Sequence, residues 1–315
     1  MRKKLPKIIV TGGAGFIGSE LVRQLVHQGY PAIVIDKLTY AGDLFRLKSL
    51  KDQFVFYKID INDTVRLTKI FKQFRPEIVI HLAAETHVDR SLKNSAPFIK
   101  TNILGTQNLI NVARQSKIKK FIHVSTDEVY GENRGGRFKE TAPLKPTNPY
   151  SVTKASAELL VQAAKKAYNF PAIIIRPTNN YGPGQHNEKF IPTIITHAIK
   201  NKRIPIYGRG RQIRQWLYVA DCARAIIDVM AKGRLGEIYN IGGSFEKKNL
   251  EVAKIILKQL EKPIRLIQFV QDRPGHDFQY SVDCSKLKKI WKGPHTPFNQ
   301  GIRQTIAWYK TNPNE

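Results

Sequence analysis

The chain has 315 residues, with 52 lysines and arginines against 25 aspartates and glutamates, which gives a net charge of +27. This length allows a substantial core and one large or two modest domains. Apolar residues make up 42% of the chain, an ordinary fraction for a globular protein, so the composition excludes a disordered one. Cys222 and Cys284, the two cysteines, are far apart in sequence, so we expect a reducing compartment, no disulfide scaffold and no metal site.

The high positive charge makes nucleic acid the first partner class to consider. However, the basic residues are spread through every predicted helix, and no basic run with interleaved aromatics occurs. We therefore predict a mostly solvated surface that attracts a small anionic ligand, with no specific nucleic-acid partner. The basic start Met1 to Lys4 precedes only three apolar residues at 8–10, too few for a signal peptide, and no stretch has the length of a membrane span. These features predict a cytoplasmic protein without a membrane partner.

A predicted strand at residues 7–11 leads directly into a glycine-rich turn and a helix. The turn, residues 12–18, has the sequence GGAGFIG. Glycines at this spacing allow a tight turn, a close approach to a pyrophosphate and close helix packing. A second strand, 32–35, ends at Asp36, where an acid accepts the ribose hydroxyls of NAD. This order predicts an NAD site rather than a structural turn, although Lys37 beside the acid leaves NADP open.

The alternation of strands and helices continues along the chain. Further strands are predicted at 54–57, 78–82, 120–124 and 172–176, and the helices between them include 97–116 and 150–168. This pattern predicts an α/β fold with a doubly wound parallel Rossmann sheet and a smaller C-terminal α/β substrate-binding domain. We assign residues 1–176, with a return segment at about 214–242, to the NAD-binding domain, and 177–213 and 243–315 to the substrate domain. Loops are expected at 177–184 and 209–216.

Residues 125–131, STDEVYG, follow the strand 120–124 at its C-terminal end, where open α/β sheets bind ligands. Asp127 and Glu128 cannot both ionise cheaply in a partly dry cleft, so the pKa of one should rise and leave an acid beside a base. The alternative is that both carboxylates only accept backbone N–H groups in a turn. They can share a substrate only if the chain turns there, because consecutive strand residues point to opposite sides.

Tyr150 and Lys154 lie four residues apart at the start of a predicted helix, on one face. We expect the ammonium group, together with the positive ring of an oxidised cofactor, to lower the pKa of the phenol so that it can act as a base. Such a pair is common in isolation. Downstream of a nucleotide-binding pattern, it indicates catalysis.

Together these motifs resemble the extended short-chain dehydrogenase/reductase superfamily and, within it, the nucleotide-sugar 4,6-dehydratases. The likeness covers nearly the whole chain, and Thr126-Asp127-Glu128 is its most specific part, because sugar epimerases and decarboxylases of this fold usually carry other residues there. The resemblance implies a lyase that oxidises C4 of a nucleoside-diphosphate glucose, eliminates water across C5 and C6, and returns the hydride from a retained NAD. It also implies a homodimer formed through the two long helices.

The resemblance assigns roles to individual residues. The catalytic candidates are Thr126, Asp127, Glu128, Tyr150 and Lys154. The candidates for NAD binding are Gly12, Gly15, Phe16, Ile17, Gly18, Asp36, Lys37, Thr39, Asp60, Ile61, Ala83, Tyr150 and Lys154. The candidates for substrate binding are Thr86, Asp89, Asn179, Arg214 and Arg273.

Some residues depart from the dehydratase pattern. Thr86 replaces a usual serine, Gln215 a usual aspartate, and Phe278 and Gln279 stand where two arginines often occur. These departures leave the nucleotide open, with dTDP favoured over UDP. A 4-epimerase or decarboxylase of the same fold is the enzymatic alternative, and a nucleotide sensor is the non-catalytic one.

Overall fold

The computed structural model describes residues 5–133, 135–293 and 295–312. The basic start Met1 to Lys4 lies outside these residues. The strands are β1 (Ile8–Thr11), β2 (Ala32–Asp36), β3 (Val55–Lys58), β4 (Ile78–His81), β5 (Lys120–Val124), β6 (Ala172–Pro177), β7 (Asn179–Tyr181), β8 (Ile204–Tyr207), β9 (Ile213–Tyr218), β10 (Ile238–Ile241), β11 (Phe245–Lys248), β12 (Ile267–Val270) and β13 (Gln279–Tyr280). The helices are α1 (Phe16–His27), α2 (Thr64–Phe74), α3 (Val88–Lys93), α4 (Ala96–Phe98), α5 (Thr106–Gln115), α6 (Pro149–Tyr168), α7 (Phe190–Ile199), α8 (Val219–Lys232), α9 (Asn249–Gln259) and α10 (Phe298–Thr311).

A seven-stranded parallel sheet organises the fold, in the order β10-β6-β5-β4-β1-β2-β3. The chain builds outward from β1 in one direction and from β4 in the other. The boundary between these two strands is the switch point at which such sheets bind ligands beyond the carboxyl ends of their strands. The predicted doubly wound α/β fold is confirmed.

Helices cover both faces of the large sheet because the buried strands present apolar side chains to each face. Val10 packs with residues of α1 and α8 on one face, whereas Ile9 packs with residues of α2, α5 and α6 on the other. A third core lies among α7, α9, α10 and the strands β8 and β9. No helix among the described residues is long and apolar enough to cross a membrane.

The smaller sheet corrects two loop predictions. β9 pairs with β7, β11 and β13, so strands lie within both 177–184 and 209–216, where only loops were expected. The turn-forming asparagines of β7 are accommodated because this strand is only three residues long. Long-range pairing, which local composition does not reveal, makes β9 a strand. The chain then returns to the large sheet through α8 and β10.

The long helix expected at 97–116 is helical throughout but not uniform. A π-helical stretch, Ile99–Gly105, joins α4 to α5. Within it, Asn102 is fully buried and its side-chain amide donates to Thr153 Oγ1 of α6 at 2.9 Å and to Glu85 O at 3.0 Å. π-Helical turns occur frequently at functional sites. Here the stretch joins the helix to the loop after β4, several residues of which line a cleft at the carboxyl ends of the strands.

Candidate active site

A cleft with a volume of ≈ 290 Å³ lies beyond the carboxyl ends of β1, β2, β4, β5 and β6. It contains most of the residues proposed from the sequence. Those that line it are Gly12, Gly15, Phe16, Ile17, Gly18, Asp36, Lys37, Thr39, Ile61, Ala83, Thr86, Thr126, Asp127, Glu128, Tyr150, Lys154 and Asn179. Asp60, Asp89, Arg214 and Arg273 do not line it.

The glycine-rich turn has the shape that a pyrophosphate requires. Gly12 has a φ of +71°, and a Cβ on it would lie 2.5 Å from Ala83 N. A Cβ on Gly18 would lie 2.1 Å from Gly12 O, so α1 packs against the turn only because no side chain is present. Helix α1 begins at Phe16, immediately after the turn, and directs its free N–H groups into the cleft. This cradle fits a dinucleotide.

Asp36 closes the same end of the cleft. Its Oδ2 accepts a hydrogen bond from Ala14 N at 3.0 Å and its Oδ1 accepts one from Leu38 N at 2.9 Å. Burial raises the pKa of Asp36, although these two N–H groups oppose the shift. The two bonds orient the carboxylate and leave lone pairs for ribose hydroxyls.

Lys37 is already engaged by protein groups. Its Nζ donates to Thr101 Oγ1 at 3.0 Å and lies 3.5 Å from Glu85 Oε1 and 3.7 Å from Asp60 Oδ2. A lysine held between two carboxylates is poorly placed to bind a 2′-phosphate. The environment of Lys37 therefore favours NAD over NADP, and Asp60 acts on the cleft through Lys37.

The chain turns immediately after β5. The strand ends at Val124, and a 3₁₀ helix, Asp127–Tyr130, follows Thr126. Thr126 Oγ1 accepts a hydrogen bond from Glu128 N at 3.3 Å and donates one to Asp127 Oδ1 at 3.2 Å. Because the backbone is no longer extended, Asp127 and Glu128 both line the cleft. The condition for a shared substrate is met.

The two carboxylates have different surroundings. Asp127 is 3% exposed, and its Oδ2 has no hydrogen-bond partner among the described residues. Glu128 is partly exposed, and its Oε2 accepts a hydrogen bond from Asn148 Nδ2 at 3.4 Å. Burial, and then the charge of Glu128, raise the pKa of Asp127 to about 7. The expected rise in one pKa is confirmed, and Asp127 is the carboxyl that holds a proton near neutral pH.

Tyr150 and Lys154 face the cleft from the first turns of α6. Asn148 caps this helix by accepting a hydrogen bond from Ser151 N at 2.9 Å. Both functional side chains are buried, and Lys154 Nζ donates to Val124 O at 2.8 Å, at the end of β5. This bond ties the lysine to the strand that precedes the carboxylates.

The pKa of Tyr150 differs from the expectation. Burial, and then the charges of Glu128 and Asp127, raise the pKa of Tyr150, so the phenol is protonated in the chain alone. In the chain alone, burial outweighs the other influences on this pKa. The expected lowering involves the ring of an oxidised cofactor as well as Lys154, so it stays a prediction for the cofactor-bound protein. Burial also lowers the pKa of Lys154 to about 8, while Glu158 opposes this shift.

The remaining candidates fall into two groups. Thr86 and Asn179 lie in the cleft, and Asn179 Oδ1 is buried without a partner among the described residues. Arg273 Nη1 lies 3.3 Å from Asp89 Oδ1, so these two pair with each other outside the cleft. Arg214 is buried; it donates to Asp277 O at 2.9 Å and has its pKa lowered by burial, against the opposing charges of Tyr280 and Glu128.

Gln215, one of the departures from the dehydratase pattern, is committed to the fold. Its side chain donates to Gly243 O at 2.8 Å and accepts from Val282 N at 3.0 Å. The departure therefore does not place a new group in the cleft. Among the described residues, no group of three or more His, Cys, Asp or Glu side chains could hold a metal ion.

Residues 8–242 match the NAD dependent epimerase/dehydratase family. The chain belongs to this family. The resemblance predicted from the motifs is thereby confirmed, and NAD is the cofactor that the cradle and Asp36 fit.

Individual members of the family are similar over nearly their whole length. A dTDP-glucose 4,6-dehydratase from Neisseria meningitidis serogroup B is 47% identical over 333 residues, with 97% of this chain and 94% of the relative covered. A solved dTDP-glucose 4,6-dehydratase from Streptomyces venezuelae with NAD bound has a TM-score of 0.94 at 39% identity, with 97% of each chain covered. A UDP-glucuronic acid 4-epimerase from Bacillus cereus, solved with UDP-glucuronic acid and NAD, has a TM-score of 0.92 at 32% identity, with 97% of this chain and 99% of the other covered.

Several residues that line the cleft of this chain were not predicted from the sequence. They lie on the loop at 182–189 and just before it, and they are Thr178, Asn180, Gln185, His186, Glu188 and Lys189. Glu188 Oε2 lies 3.1 Å from Arg90 Nη2, and Lys189 Nζ donates to Thr86 O at 3.1 Å. The polar sequence GQHNEK at 184–189 was the available signal, but it has no periodicity to distinguish it from an ordinary solvated loop.

Proposed function

We propose that this protein is an NAD-dependent dTDP-glucose 4,6-dehydratase, a lyase that converts its substrate into the 4-keto-6-deoxy sugar nucleotide. This proposal rests on the turn after β5. The turn places Thr126, Asp127 and Glu128 in the same cleft as Tyr150 and Lys154. The similarity to dehydratases at 47% identity supports it. The fold alone does not separate a dehydratase from an epimerase, since a 4-epimerase has a TM-score of 0.92.

NAD would be held in the part of the cleft between the glycine-rich turn and Asp36. Gly12 and Gly18 would allow the backbone to approach the pyrophosphate, and Asp36 would bind the adenosine ribose. NAD, when bound, supplies reversible hydride transfer with the sugar. The remaining chemistry is the movement of protons, which the side chains of the cleft perform.

Tyr150 acts at O4 of the glucose. In its deprotonated form the phenol accepts the O4 proton as C4 becomes a ketone, and Thr126 donates a hydrogen bond to the developing carbonyl. Lys154 is fixed by its bond to Val124 O, and its positive charge favours the phenolate over the phenol. This contribution is needed because burial and the two carboxylates hold the pKa of Tyr150 high.

The carboxylates carry out the elimination. A ketone at C4 makes the C5 proton acidic, because the resulting carbanion is delocalised as an enolate. Glu128 removes that proton, and Asp127 gives its own proton to the C6 hydroxyl, which leaves as water. The pKa of about 7 for Asp127 suits this acid, because the proton is held near neutral pH and is still transferable. Glu128 then returns its proton to C5, and NAD, when bound, would supply the hydride that C6 takes up to complete the product.

The nucleotide and the sugar are held by groups around the cleft. Thr86 and Asp89 lie on the side of the sugar, and Asn179, Arg214 and Arg273 contact the diphosphate or the nucleotide. Arg273 Nη1 pairs with Asp89, whereas Arg273 Nε is buried without a partner among the described residues. The Nε–H group is therefore a donor that the diphosphate or the nucleotide can use. We keep the division into an NAD-binding domain, 1–176 with its return segment, and a substrate domain as part of this proposal.

The protein acts as a homodimer in the cytoplasm. The helical segment 96–115 and α6 contact each other and expose large apolar side chains. Ile99 and Leu104 are each 50% exposed, and Leu159 of α6 is 57% exposed. Apolar side chains concentrated on two neighbouring helices fit a self-complementary interface between two copies.

Product mass tests the reaction directly. The purified protein is incubated with dTDP-glucose and with UDP-glucose separately, with and without added NAD. Loss of one water from dTDP-glucose, without net formation of reduced cofactor, is the expected result. Loss of water from UDP-glucose alone would show that the substrate carries UDP instead of dTDP. An unchanged mass with altered sugar stereochemistry would show that the protein is a 4-epimerase and not a dehydratase.

A further inference from the structure

Arg46 joins three loops at the mouth of the cleft. It lies on the 3₁₀ helix Leu44–Leu50, outside the set of residues assigned to catalysis or binding. Its Nη1 donates to Ala41 O at 2.8 Å and to Ala14 O at 3.0 Å, and its Nε donates to Gly184 O at 2.7 Å. One guanidinium group therefore contacts the glycine-rich turn, the loop after β2 and the loop at 182–189.

These three loops lie on opposite sides of the cofactor site. Ala14 and Ala41 belong to the NAD-binding side, and Ala41 itself lines the cleft. Gly184 begins the stretch that contributes Gln185, His186, Glu188 and Lys189 to the other wall. The bond from Arg46 to Gly184 spans 138 positions of sequence and crosses the mouth of the cleft.

A second contact crosses at the same place. The ring of Tyr40 meets the ring of His186 edge-on, with 5.4 Å between the centroids. The guanidinium of Arg90 lies 3.7 Å from the centroid of the Tyr40 ring. The mouth of the cleft is thus bridged by an aromatic contact and by a hydrogen bond from a charged donor.

We propose that Arg46 is a positioning residue that holds the 182–189 loop against the glycine-rich turn and thereby slows the release of NAD. The inference rests on the proposed function only in requiring that NAD occupies the cleft. Separation of the two walls, which would widen the exit for a bound cofactor, breaks the bond from Arg46 to Gly184. The planar guanidinium donates to carbonyls on both walls at once, which a lysine ammonium at this position cannot do with the same geometry.

The test measures NAD release without any sugar. Holoenzyme is diluted into buffer that contains an excess of competing cofactor, and the NAD remaining on the protein is measured over time. For Arg46→Ala we expect release to be about tenfold faster than for the unaltered protein, because a hydrogen bond to a charged donor is lost from the closed form. Arg46→Lys should fall between the two. Lys48→Ala, which removes an exposed cation from the same 3₁₀ helix, is the matched control and should leave release unchanged.

Two further readouts separate positioning from a merely structural role. The apparent KM for added NAD should rise in Arg46→Ala while kcat at saturating NAD is retained. The thermal midpoint of the NAD-free protein should match that of Lys48→Ala. Should Arg46→Ala fail to fold, the rates of NAD release from Arg46→Lys and Arg46→Gln are compared with that of the unaltered protein instead.

The opposite results are equally clear. An unchanged release rate in Arg46→Ala would overturn the inference. So would faster release that is accompanied by a lowered thermal midpoint and is not partly restored in Arg46→Lys. A wild-type protein that binds no NAD would overturn the proposed function with it. NAD binding with normal release from the variant would remove the inference alone.

Discussion

Replacing Asp127 with asparagine tests whether burial makes this carboxyl an acid. The side chain is 3% exposed, and its pKa rises from 3.8 to about 7, first through burial and then through the charge of Glu128. Arg214 and Thr126 oppose the rise. Asparagine has nearly the same shape but cannot ionise. The difference between the two proteins therefore isolates the cost of a negative charge at this position.

The sign and size of the effect follow from proton linkage. The folded protein binds this proton more tightly than the unfolded chain, so the resulting stability is fully present below pH 3.8 and is lost as the pH rises through about 7. Each pH unit between the two pKa values corresponds to about 1.4 kcal/mol. We expect the free energy of unfolding to fall by about 4 kcal/mol more in the unaltered protein than in Asp127→Asn between about pH 4 and about pH 8.

Urea unfolding of the NAD-free protein, followed by circular dichroism across this pH range, measures the difference. Asp228→Asn is the control, because it removes a carboxylate that pairs with Lys232 on α8 and leaves Asp127 in place. If stability fell equally steeply in Asp127→Asn and in the unaltered protein, the buried carboxyl would not be the source of the slope. The assignment of Asp127 as the acid would then lose its physical basis.

Four other outcomes are expected. Glu128→Gln should lower the rate of dehydration about 100-fold or more, while absorbance shows reduced cofactor still accumulating on the enzyme. Near-normal water loss would show that Glu128 is not the base. Tyr150→Phe should abolish both cofactor reduction and water loss, and persistent reduction would contradict its assignment. Gly18→Ala places a Cβ 2.1 Å from Gly12 O, so the purified protein should retain little NAD, measured from the nucleotide released on denaturation. Once C4 has been oxidised, the rate of water loss should fall about tenfold per pH unit above about 7, as Asp127 loses its proton, and a flat profile of this step to pH 9 would argue against it.

The cofactor half of the fold could be predicted from the sequence because its signals are local. The glycine-rich turn, α1 and Asp36 all lie within residues 12–36, and the backbone constraint at Gly18 involves atoms of the turn itself. Apolar strands at regular spacing then predicted a doubly wound parallel sheet. The polar residues 125–128, which are consecutive in sequence, were likewise expected at a ligand site, and they line the cleft.

The errors and omissions involve contacts between distant parts of the chain. β9 is a strand because β7, β11 and β13 pair with it, although its sequence follows a glycine-bearing basic stretch. Glu188 enters the cleft through an ion pair with Arg90, 98 positions earlier. The raised pKa of Tyr150 is likewise a tertiary effect, because burial is its largest cause. None of these has a periodic or local pattern in sequence.

The end of β5 shows why the two carboxylates depend on the fold around them. In a continued strand Asp127 and Glu128 would point to opposite faces and could not act on adjacent carbons of one sugar. The strand instead ends at Val124, whose carbonyl accepts the bond from Lys154, and the 3₁₀ helix that follows buries Asp127 more deeply than Glu128. One short segment thus fixes the lysine beside Tyr150 and raises the pKa of Asp127 by burying it next to Glu128. The order of the reaction, oxidation first and elimination second, therefore requires the backbone geometry at residues 124–128 as well as the side chains that it carries.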